Sequence, residues 1–404
     1  MPPSARNSAV KRVSSAAIMN GADGISMAFE NCFGRPPRVV ARAPGRVNII
    51  GEHTDYNAGL VLPFAIGQSV QIAARAADGS EITAHSLCFD RTAAFPTTVE
   101  QPSQTETWQN YLRGVCHGLR RRGVAVRGAE LLIGGDLPIG GGVSSSAALC
   151  VATALALLKL TGAELSKLEI AKLAREAEHD FADTPCGIMD PYVILFGRAE
   201  HALLLDCRDN THEWQPLDLG SVQFVLIDSG VAHELSSGLY ERRVRECQSA
   251  ASAIRECEPA VRTLRDVTPR MLEAHDDALD PVLRLRTRHV VTENARVERS
   301  RRALADGLFD DLGRLLSASH RSLRDDYEVS CLEVDELVTA LEAAEGVFGA
   351  RIVGGGGGGM VLALVRRDAL ADLPCELEDR LRHNRPSPRL LTLHAVDGAE
   401  CRAC

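Results

Sequence analysis

Apolar residues recur along the chain with two periods, one typical of strands and one typical of helices. Short strand-like segments are predicted at 38–43, 69–77, 129–135, 202–207, 224–227, 350–353, 361–365 and 390–395. Helical patterns are predicted at 145–160, 165–181, 236–256 and 304–316. Because helices and strands are interspersed, the pattern predicts a mixed α/β (α+β) fold.

The size and charge of the chain limit the classes of protein to which it can belong. It has 404 residues, 45% hydrophobic and 25% charged, which is enough for about two domains. Asn210, Pro216 and Gly220 interrupt the apolar pattern, which predicts an N-terminal domain at 25–215 and a C-terminal domain at 216–404. The net charge of −9 argues against a duplex nucleic acid or an anionic membrane as the main partner.

Residues 1–24 and the cysteines bear on where the protein works. The first 24 residues have no continuous apolar segment of signal-peptide length and are predicted to be a disordered polar leader. No apolar stretch approaches the roughly 20 residues that span a bilayer. The twelve cysteines are scattered, which is typical of reduced thiols, so a cytoplasmic location is predicted.

The segment 45–57, GRVNIIGEHTDYN, leads from apolar residues into a polar cluster. The polar groups are those of Arg46, Asn48, Glu52, His53 and Asp55. Charges buried without partners would be costly, so the cluster is expected to face a pocket. Because a polyhydroxylated small molecule needs both donors and acceptors, the segment predicts a pocket for a sugar-like ligand.

The segment 138–149, PIGGGVSSSAAL, places three glycines and three serines directly before an apolar helix. Glycines let backbone N–H groups approach an anion, and the helix N-terminus adds partial positive charge. This arrangement predicts a cradle for phosphates, and the alternative is a glycine turn with a serine helix cap. The sequence contains no GxxxxGK[ST], so a Walker-type nucleotide site is excluded.

Glu178 lies on the apolar stripe of the predicted helix 165–181, four residues after Ala174 and three before Phe181. A carboxylate on a buried face needs a partner. A divalent cation shared with nucleotide phosphates would supply one, and Ser146 could add another oxygen ligand. A glutamate that pairs with an arginine, or extends from the edge of the stripe, fits the helix geometry equally well.

Two further segments have a structural and a functional interpretation. Asp190 followed by Pro191 is typical of a helix start with Asp190 as the N-cap, and Asp190 is also a candidate catalytic base. The glycines at 354–359 contain GxGxxG, but no dinucleotide-binding unit follows them. They predict a flexible loop against a ligand or another backbone segment.

Taken together, these segments resemble the galactokinases, which belong to the GHMP family of small-molecule kinases. The resemblance extends over nearly the whole chain from about residue 33, and it is carried by RAPGRVNIIGEHTDYNAGLVLP, PIGGGVSSSAAL and GARIVGGGGGGM. Further matches are TENAR at 292–296 and SLRDDYEVS at 322–330. The first motif is specific to galactokinases and near relatives, whereas the glycine–serine motif is shared by the whole kinase family.

The resemblance implies a fold, a reaction and partners. The fold would be that of the GHMP kinases, two α/β domains with the active site between them. The reaction would use ATP and Mg²⁺ to phosphorylate the anomeric hydroxyl of D-galactose, giving α-D-galactose 1-phosphate and ADP. D-galactose and ATP would be the small-molecule partners, and a monomer is expected.

The resemblance also implies roles for individual residues. Asp190 would be the catalytic aspartate facing the anomeric hydroxyl, and Arg46 would lie beside both Asp190 and the transferring phosphoryl group. The sugar-binding set would be Glu52, His53, Thr54, Asp55, Gly187 and Tyr240. Within the first motif, Asn48, Thr54 and Tyr56 are expected to act more as scaffold than as ligands. The ATP phosphates would be held by Gly140, Gly141, Gly142, Val143, Ser144, Ser145 and Ser146. Mg²⁺ would be bound by Ser146 and Glu178.

The chain departs from the family pattern at three positions. Pro191 stands where galactokinases usually have Gln, which predicts the loss of a hydrogen bond near Asp190 and a possible cost in turnover. Gly357 replaces a bulky apolar residue, usually Phe, which predicts a looser glycine loop. Val353 stands where a hydroxyl residue is common, which puts one hydrogen bond on the nucleotide side in doubt.

Two other functions remain open from the sequence. One is a kinase of the same family for another hexose, such as N-acetylgalactosamine or galacturonate, because the sequence does not define the pocket around C2 and C6 of the sugar. Tyr240 favours galactose. The other is a non-catalytic sensor that binds ATP and galactose, and the intact SSSAA sequence argues against it.

Overall fold

In the computed structural model, residues 22–231, 238–275, 277, 279–381 and 389–404 are described. The helices are α1 (Ala22–Phe33), α2 (Asn110–Arg121), α3 (Ser145–Thr161), α4 (Lys167–Ala182), α5 (Met189–Phe196), α6 (Leu239–Cys257), α7 (Pro269–Ala274), α8 (Pro281–Ala305), α9 (Phe309–Asp325), α10 (Leu332–Glu342) and α11 (Leu373–Arg380). The strands are β1 (Val39–Asn48), β2 (Leu60–Val61), β3 (Pro63–Ala76), β4 (Glu81–Ser86), β5 (Arg91–Pro96), β6 (Ala129–Gly135), β7 (His201–Asp206), β8 (Thr211–Pro216), β9 (Val222–Asp228), β10 (Val347–Ile352), β11 (Met360–Arg366), β12 (Leu390–Thr392) and β13 (Glu400–Ala403). The predicted mixed α/β class is confirmed.

The strands of the described residues form three sheets. The largest has the order β13-β1-β3-β6-β4-β5, and its neighbours are antiparallel except for the parallel pair of β4 and β6. The second has the antiparallel order β10-β11-β9-β12, and the third has the order β2-β7-β8. Because β13 pairs with β1, the segment 400–403 lies on the first sheet, although it falls within the predicted C-terminal domain.

The two larger sheets share one hydrophobic core. Helix α3 packs on β1 and β3, and the inward residues Phe224 and Leu226 of β9 join the same core. The alternate residues Val225 and Ile227 face a second core, to which α6, α8 and α10 contribute. Strands that are buried on both faces have nearly continuous apolar sequences, which is why 224–227 and 361–365 were predictable.

Helix α1 packs on the first sheet through a separate small cluster. Its Ile25 and Phe29 contact a patch that includes Val40, Ala73 and Leu132. The helix begins at Ala22, so its first turn overlaps the predicted leader. Residues 1–21 lie outside the described residues.

Several predicted boundaries agree closely with the structure and others do not. Strand β6 has the predicted limits, and α3 extends one residue beyond its predicted end. The predicted helix at 304–316 is wrong as a single element, because the chain turns at Gly307, with φ at 67°, between α8 and α9. The predicted helix at 236–256 corresponds to α6, and its first two residues lie outside the described ranges.

The twelve cysteines are all free thiols. Within the described ranges, no helix combines the length and the apolar character needed to cross a membrane. The cytoplasmic location stays a prediction.

Gly313 of α9 and Gly349 of β10 lie backbone to backbone. A Cβ at Gly313 would lie 2.2 Å from the carbonyl oxygen of Phe348. Gly313→Ala is therefore expected to lower the free energy of unfolding by about 1–3 kcal/mol, because overpacking forces the backbone apart. The control Gly67→Ala places a Cβ where no atom lies within 4 Å and should change stability by less than about 0.5 kcal/mol. Urea unfolding of both variants checks this, and equal effects would contradict it.

Candidate active site

A cavity of about 680 Å³ lies between loops from both halves of the chain. The predicted site residues that line it are Arg46, Glu52, His53, Asp55, Gly140, Gly142, Ser144, Ser145, Ser146, Glu178, Asp190 and Tyr240. Gly354 and Gly355 of the glycine loop form part of the wall. The structure therefore brings together segments that are up to three hundred residues apart in the sequence.

Arg46 of β1 and Asp190 of α5 form a bidentate ion pair in the wall of the cavity. Arg46 Nε donates to Asp190 Oδ1 at 2.7 Å, and Nη2 donates to Oδ2 at 2.8 Å. Burial lowers the pKa of Arg46, but the negative charges of Asp190 and Glu52 outweigh burial, so its pKa is raised overall. Arg46 is thus a fixed, buried cation, and such fork-like pairing fixes geometry as well as charge.

Asp190 does not cap its helix, so that interpretation of the Asp-Pro pair is wrong. The N-cap of α5 is Ile188, and Asp190 is the second residue of the helix. Its carboxylate points to Arg46. Pro191 follows in the first turn, where backbone N–H groups have no acceptor within the helix, so the helix accommodates the proline.

Glu52 joins the two halves of the chain at the back of the cavity. Its Oε1 accepts from Arg351 Nη2 at 3.0 Å and from the backbone N–H of Gly354 at 2.9 Å, and its Oε2 accepts from Asn48 Nδ2 at 3.1 Å. Burial raises the pKa of Glu52, but Arg351 and Arg46 outweigh burial and the pKa is lowered. Glu52 is therefore a charged anchor whose donors occupy both of its oxygens.

His53 has a left-handed backbone with φ at 62° and a neutral ring. Its Nδ1 lies 2.8 Å from the hydroxyl of Tyr56, which in turn lies 2.7 Å from the hydroxyl of Tyr327. Burial lowers the pKa of His53 to about 3. Its buried Nε2 has no hydrogen-bond partner within the described part of the chain. One ring nitrogen of a residue in the cavity wall is thus left without a partner, and the role of His53 in sugar binding stays a prediction.

Asp55 and Gly187 fit against each other. A Cβ at Gly187 would lie 1.8 Å from Asp55 Oδ2, so any side chain at position 187 would displace this carboxylate. Burial, followed by the charge of Asp190, raises the pKa of Asp55 to about 7. Gly187 does not line the cavity itself. Because it has no side chain, it leaves room for the carboxylate of Asp55.

Thr54 lies inside the loop instead of in the cavity wall. It is fully buried, and its hydroxyl lies 2.8 Å from the carbonyl oxygen of Gly51 and 2.7 Å from that of Leu60. This placement matches the scaffold expectation for Thr54, because its hydroxyl is bonded within the loop, and its role as a sugar ligand stays a prediction.

The glycine–serine loop holds both members of the ion pair. The carbonyl of Gly142 accepts from Arg46 Nη1 at 2.6 Å, and the carbonyl of Val143 accepts from the Arg46 backbone N–H at 3.2 Å. The hydroxyl of Ser144 donates to Asp190 Oδ2. Gly141 and Val143 lie outside the cavity lining, Gly141 against the Met360 side chain and Val143 in the core.

Glu178 is buried in α4, as its position on the apolar stripe predicted. It is 3% exposed, and burial raises its pKa to about 7. Its carboxylate accepts from the thiol of Cys186 at 3.6 Å, and the nearby hydroxyl of Ser146 partly offsets the effect of burial on the pKa. Among the described residues it forms no ion pair with an arginine, which disfavours the structural alternative.

The residues that hold the loop 49–60 were not predicted from the sequence. Besides Glu52, the fully buried Arg351 donates to the carbonyls of Ile49 and Asn48 at 2.7 and 2.6 Å. From α8, Glu293 accepts from the Gly51 N–H at 3.0 Å, and Asn294 accepts from the Leu60 N–H at 2.7 Å. The available signals were TENAR and an arginine within the apolar strand prediction 350–353.

Comparison with known proteins places these features in a family. A galactokinase galactose-binding signature matches residues 27–76, and GHMP kinase N-terminal and C-terminal domain models match residues 110–198 and 300–382. A galactokinase of Thermotoga neapolitana is 41% identical over 360 residues, covering 89% of this chain and 98% of the relative. The chain belongs to the galactokinase family. A galactokinase of Chloroflexus aggregans is 43% identical over 85% of this chain and 88% of the relative.

Solved structures agree with the family. The structure of Lactococcus lactis galactokinase complexed with galactose matches with a TM-score of 0.89 and 31% identity, over 94% of this chain and 99% of that chain. A mevalonate kinase matches with a TM-score of 0.62 and 18% identity, over 89% of this chain and 99% of that chain, which shows the shared fold. The predicted GHMP kinase fold is confirmed.

Replacing Arg351 tests how far the galactokinase cavity depends on the link between the two halves. Arg351→Met would leave Glu52 buried without its main cation, so the free energy of unfolding is expected to fall by about 3–5 kcal/mol. The control Arg314→Met removes an arginine from an exposed pair with Asp311 and should cost less than about 1 kcal/mol. Denaturant unfolding compares them, and a small loss at Arg351 would mean that the pair does not hold the halves together.

Proposed function

We propose that this cavity transfers the γ-phosphoryl group of ATP to the anomeric hydroxyl of D-galactose, with Asp190 and Arg46 at the point of transfer. The observation that carries the proposal is the bidentate pair of Arg46 and Asp190, which lies between the sugar-type loop and the glycine–serine loop. The activity itself, phosphorylation of galactose by ATP, follows from membership in the galactokinase family. The structure supports different roles for the side chains that line the cavity.

Phosphoryl transfer depends mainly on positioning and on neutralising charge, because its transition state is loose. Arg46 is suited to both tasks, since three backbone or carboxylate acceptors hold its guanidinium in place. Asp190 orients the sugar hydroxyl and accepts its proton late, as the bond to phosphorus forms. Any carboxylate is a far weaker base than a sugar alkoxide, so early removal of the proton is disfavoured.

The residues present fit a magnesium ion bound together with ATP. Glu178 is a buried carboxylate that accepts from a thiol and has the hydroxyl of Ser146 nearby, and neither group supplies positive charge. No cluster of three metal-ligating side chains occurs in the described residues, which suits an ion that takes some of its ligands from phosphates and water. We assign Glu178 and Ser146 as its protein ligands. When bound, the ion would neutralise phosphate charge.

The sugar side of the cavity is formed by Asp55, His53 and Tyr240. Asp55 supplies acceptors, and the unpartnered His53 Nε2 supplies one more polar contact. The centroids of the Tyr240 and His53 rings are 5.5 Å apart, so the Tyr240 ring forms an apolar wall beside the polar groups. Together these groups resemble what a hydroxyl-rich ring with one apolar face requires.

The decisive experiment measures ADP release with ATP, Mg²⁺ and a panel of free sugars. The panel contains galactose, glucose, N-acetylgalactosamine and galacturonate. Turnover with galactose well above the others is expected, and the product should be galactose 1-phosphate by ³¹P NMR. Greater turnover with another hexose would replace the substrate, and galactose binding without ADP release would identify a sensor.

Asp190→Asn tests the catalytic assignment. The amide keeps the size of the side chain but cannot accept a proton, so kcat is expected to fall by about 10²–10⁴-fold, with ATP binding retained. The control is Asp183→Asn, which lines the same cavity at a left-handed position that asparagine tolerates. Near wild-type turnover is expected for the control. Wild-type turnover in Asp190→Asn would leave Asp190 a structural residue.

The raised pKa of Asp55 predicts a pH dependence of galactose use. Below a pH of about 7 the carboxyl becomes protonated in the sugar-free protein, so it loses its negative charge and part of its capacity to accept hydrogen bonds. At saturating ATP, kcat/KM for galactose should therefore decline towards tenfold per pH unit on the acid side. Asp55→Asn should remove this limb. Because the fold raises this pKa, ionisation of Asp55 destabilises the native state as pH rises, so the same variant should raise Tm at pH 8. An unchanged limb in the variant would assign it to another group.

A further inference from the structure

Ser144 stands at the start of α3 without performing the usual task of a serine there. It occupies the N-cap position, but its side chain makes no capping hydrogen bond. Its backbone is left-handed, with φ at 65° and ψ at 44°, whereas an N-cap is normally extended. A left-handed backbone is unfavourable for a residue with a side chain, and glycine would adopt it freely. What distinguishes Ser144 is the contact that its side chain makes in place of a cap.

The only polar contact of the Ser144 side chain among the described residues is with Asp190. Its hydroxyl donates to Oδ2, the oxygen that also accepts from Arg46 Nη2 at 2.8 Å. Within the part of the chain that the structure describes, Oδ1 accepts from Arg46 Nε alone, at 2.7 Å. Since each carboxylate oxygen has two lone pairs, Oδ2 is fully occupied and Oδ1 keeps one lone pair for another donor.

We infer that Ser144 is a positioning residue for phosphoryl transfer, holding Oδ2 of Asp190 so that Oδ1 faces the sugar hydroxyl. The inference rests on the proposed function, in which Asp190 orients that hydroxyl. The Ser144 hydroxyl would then not bind the ATP phosphates, because it donates its single proton to Asp190. Ser145 and Ser146 line the same cavity and would still bind the nucleotide phosphates.

A second donor on Asp190 matters because Arg46 has two tasks. In the proposed reaction Arg46 also faces the transferring phosphoryl group, and any movement towards it weakens the hold on Asp190. Ser144 belongs to a different element, so its hydrogen bond persists when the guanidinium shifts. The same short loop holds Arg46 through the carbonyls of Gly142 and Val143, and it therefore fixes both members of the pair.

The test compares Ser144→Ala and Ser144→Gly with the wild type. Both remove the hydroxyl, but Gly also relieves the left-handed backbone, so the Tm of Ser144→Gly should lie above that of Ser144→Ala. Both should lower kcat by about 10- to 100-fold, the loss expected for a hydrogen bond to a charged group, while KM for ATP and for galactose stays within about twofold. Ser144→Asn, which tolerates the left-handed backbone and supplies an N–H donor, should recover part of kcat.

A double-mutant cycle separates a positioning role from a structural one. In single-turnover measurements, adding Ser144→Ala to Asp190→Asn should cause little further loss, because Ser144 acts through Asp190. Additive losses, an unchanged kcat in Ser144→Gly, or a rise confined to KM for ATP would each overturn the inference. If the wild-type protein releases no ADP with galactose, the proposed function fails first, and that outcome is distinct from any effect at Ser144.

Discussion

The buried carboxylate of Glu52 is the interaction on which the arrangement of the two halves depends. It accepts from Asn48 on its own side, and from Arg351 and the Gly354 N–H on the other. Because removing either charge would leave the other buried and unpaired, the two segments cannot separate cheaply. The loop that carries His53 and Asp55 is thereby fixed against the glycine loop. The shape of the cavity follows from this contact.

The side chains that line the same cavity include more acidic than basic groups. Its described lining includes the carboxylates of Glu52, Asp55, Glu178, Asp183, Asp190 and Glu241, but Arg46 is the only arginine or lysine in it. Burial raises the pKa of Asp55 and of Glu178 to about 7, so both groups cost stability as anions in the ligand-free protein. Hydroxyl donors of a sugar would relieve Asp55, and a cation accompanying phosphates would relieve Glu178. The site is thus stabilised by what it is proposed to bind.

Dense apolar packing made some elements predictable from the sequence, although α2 and α10, which also bury apolar residues, were not predicted. Helix α3 and strands β9 and β11 were found because their sides are packed with aliphatic residues. Most of α8 was missed, because its buried face carries Arg286, His289, Glu293 and Asn294, whose partners lie far away in the sequence. For the same reason local rules made Asp190 a cap, since its partner Arg46 is 144 residues away. The resemblance to a family supplied the pairing that local patterns could not.

The glycine loop shows how a departure from the family pattern is absorbed. A glycine at position 357 was expected to loosen the loop, yet its N–H donates to the carbonyl of Val329 at 2.8 Å. Its φ of 77° is one that glycine adopts without strain. Nearby, a Cβ at Gly354 would lie 3.0 Å from the Cα of Gly142, so the second and third motifs touch backbone to backbone. The loop is therefore held on one side by the hydrogen bond of Gly357 to Val329 and on the other by the contact of Gly354 with Gly142. These contacts offset the conformational entropy that the glycines lose when the loop is ordered. A side chain at position 354 would prevent the second contact.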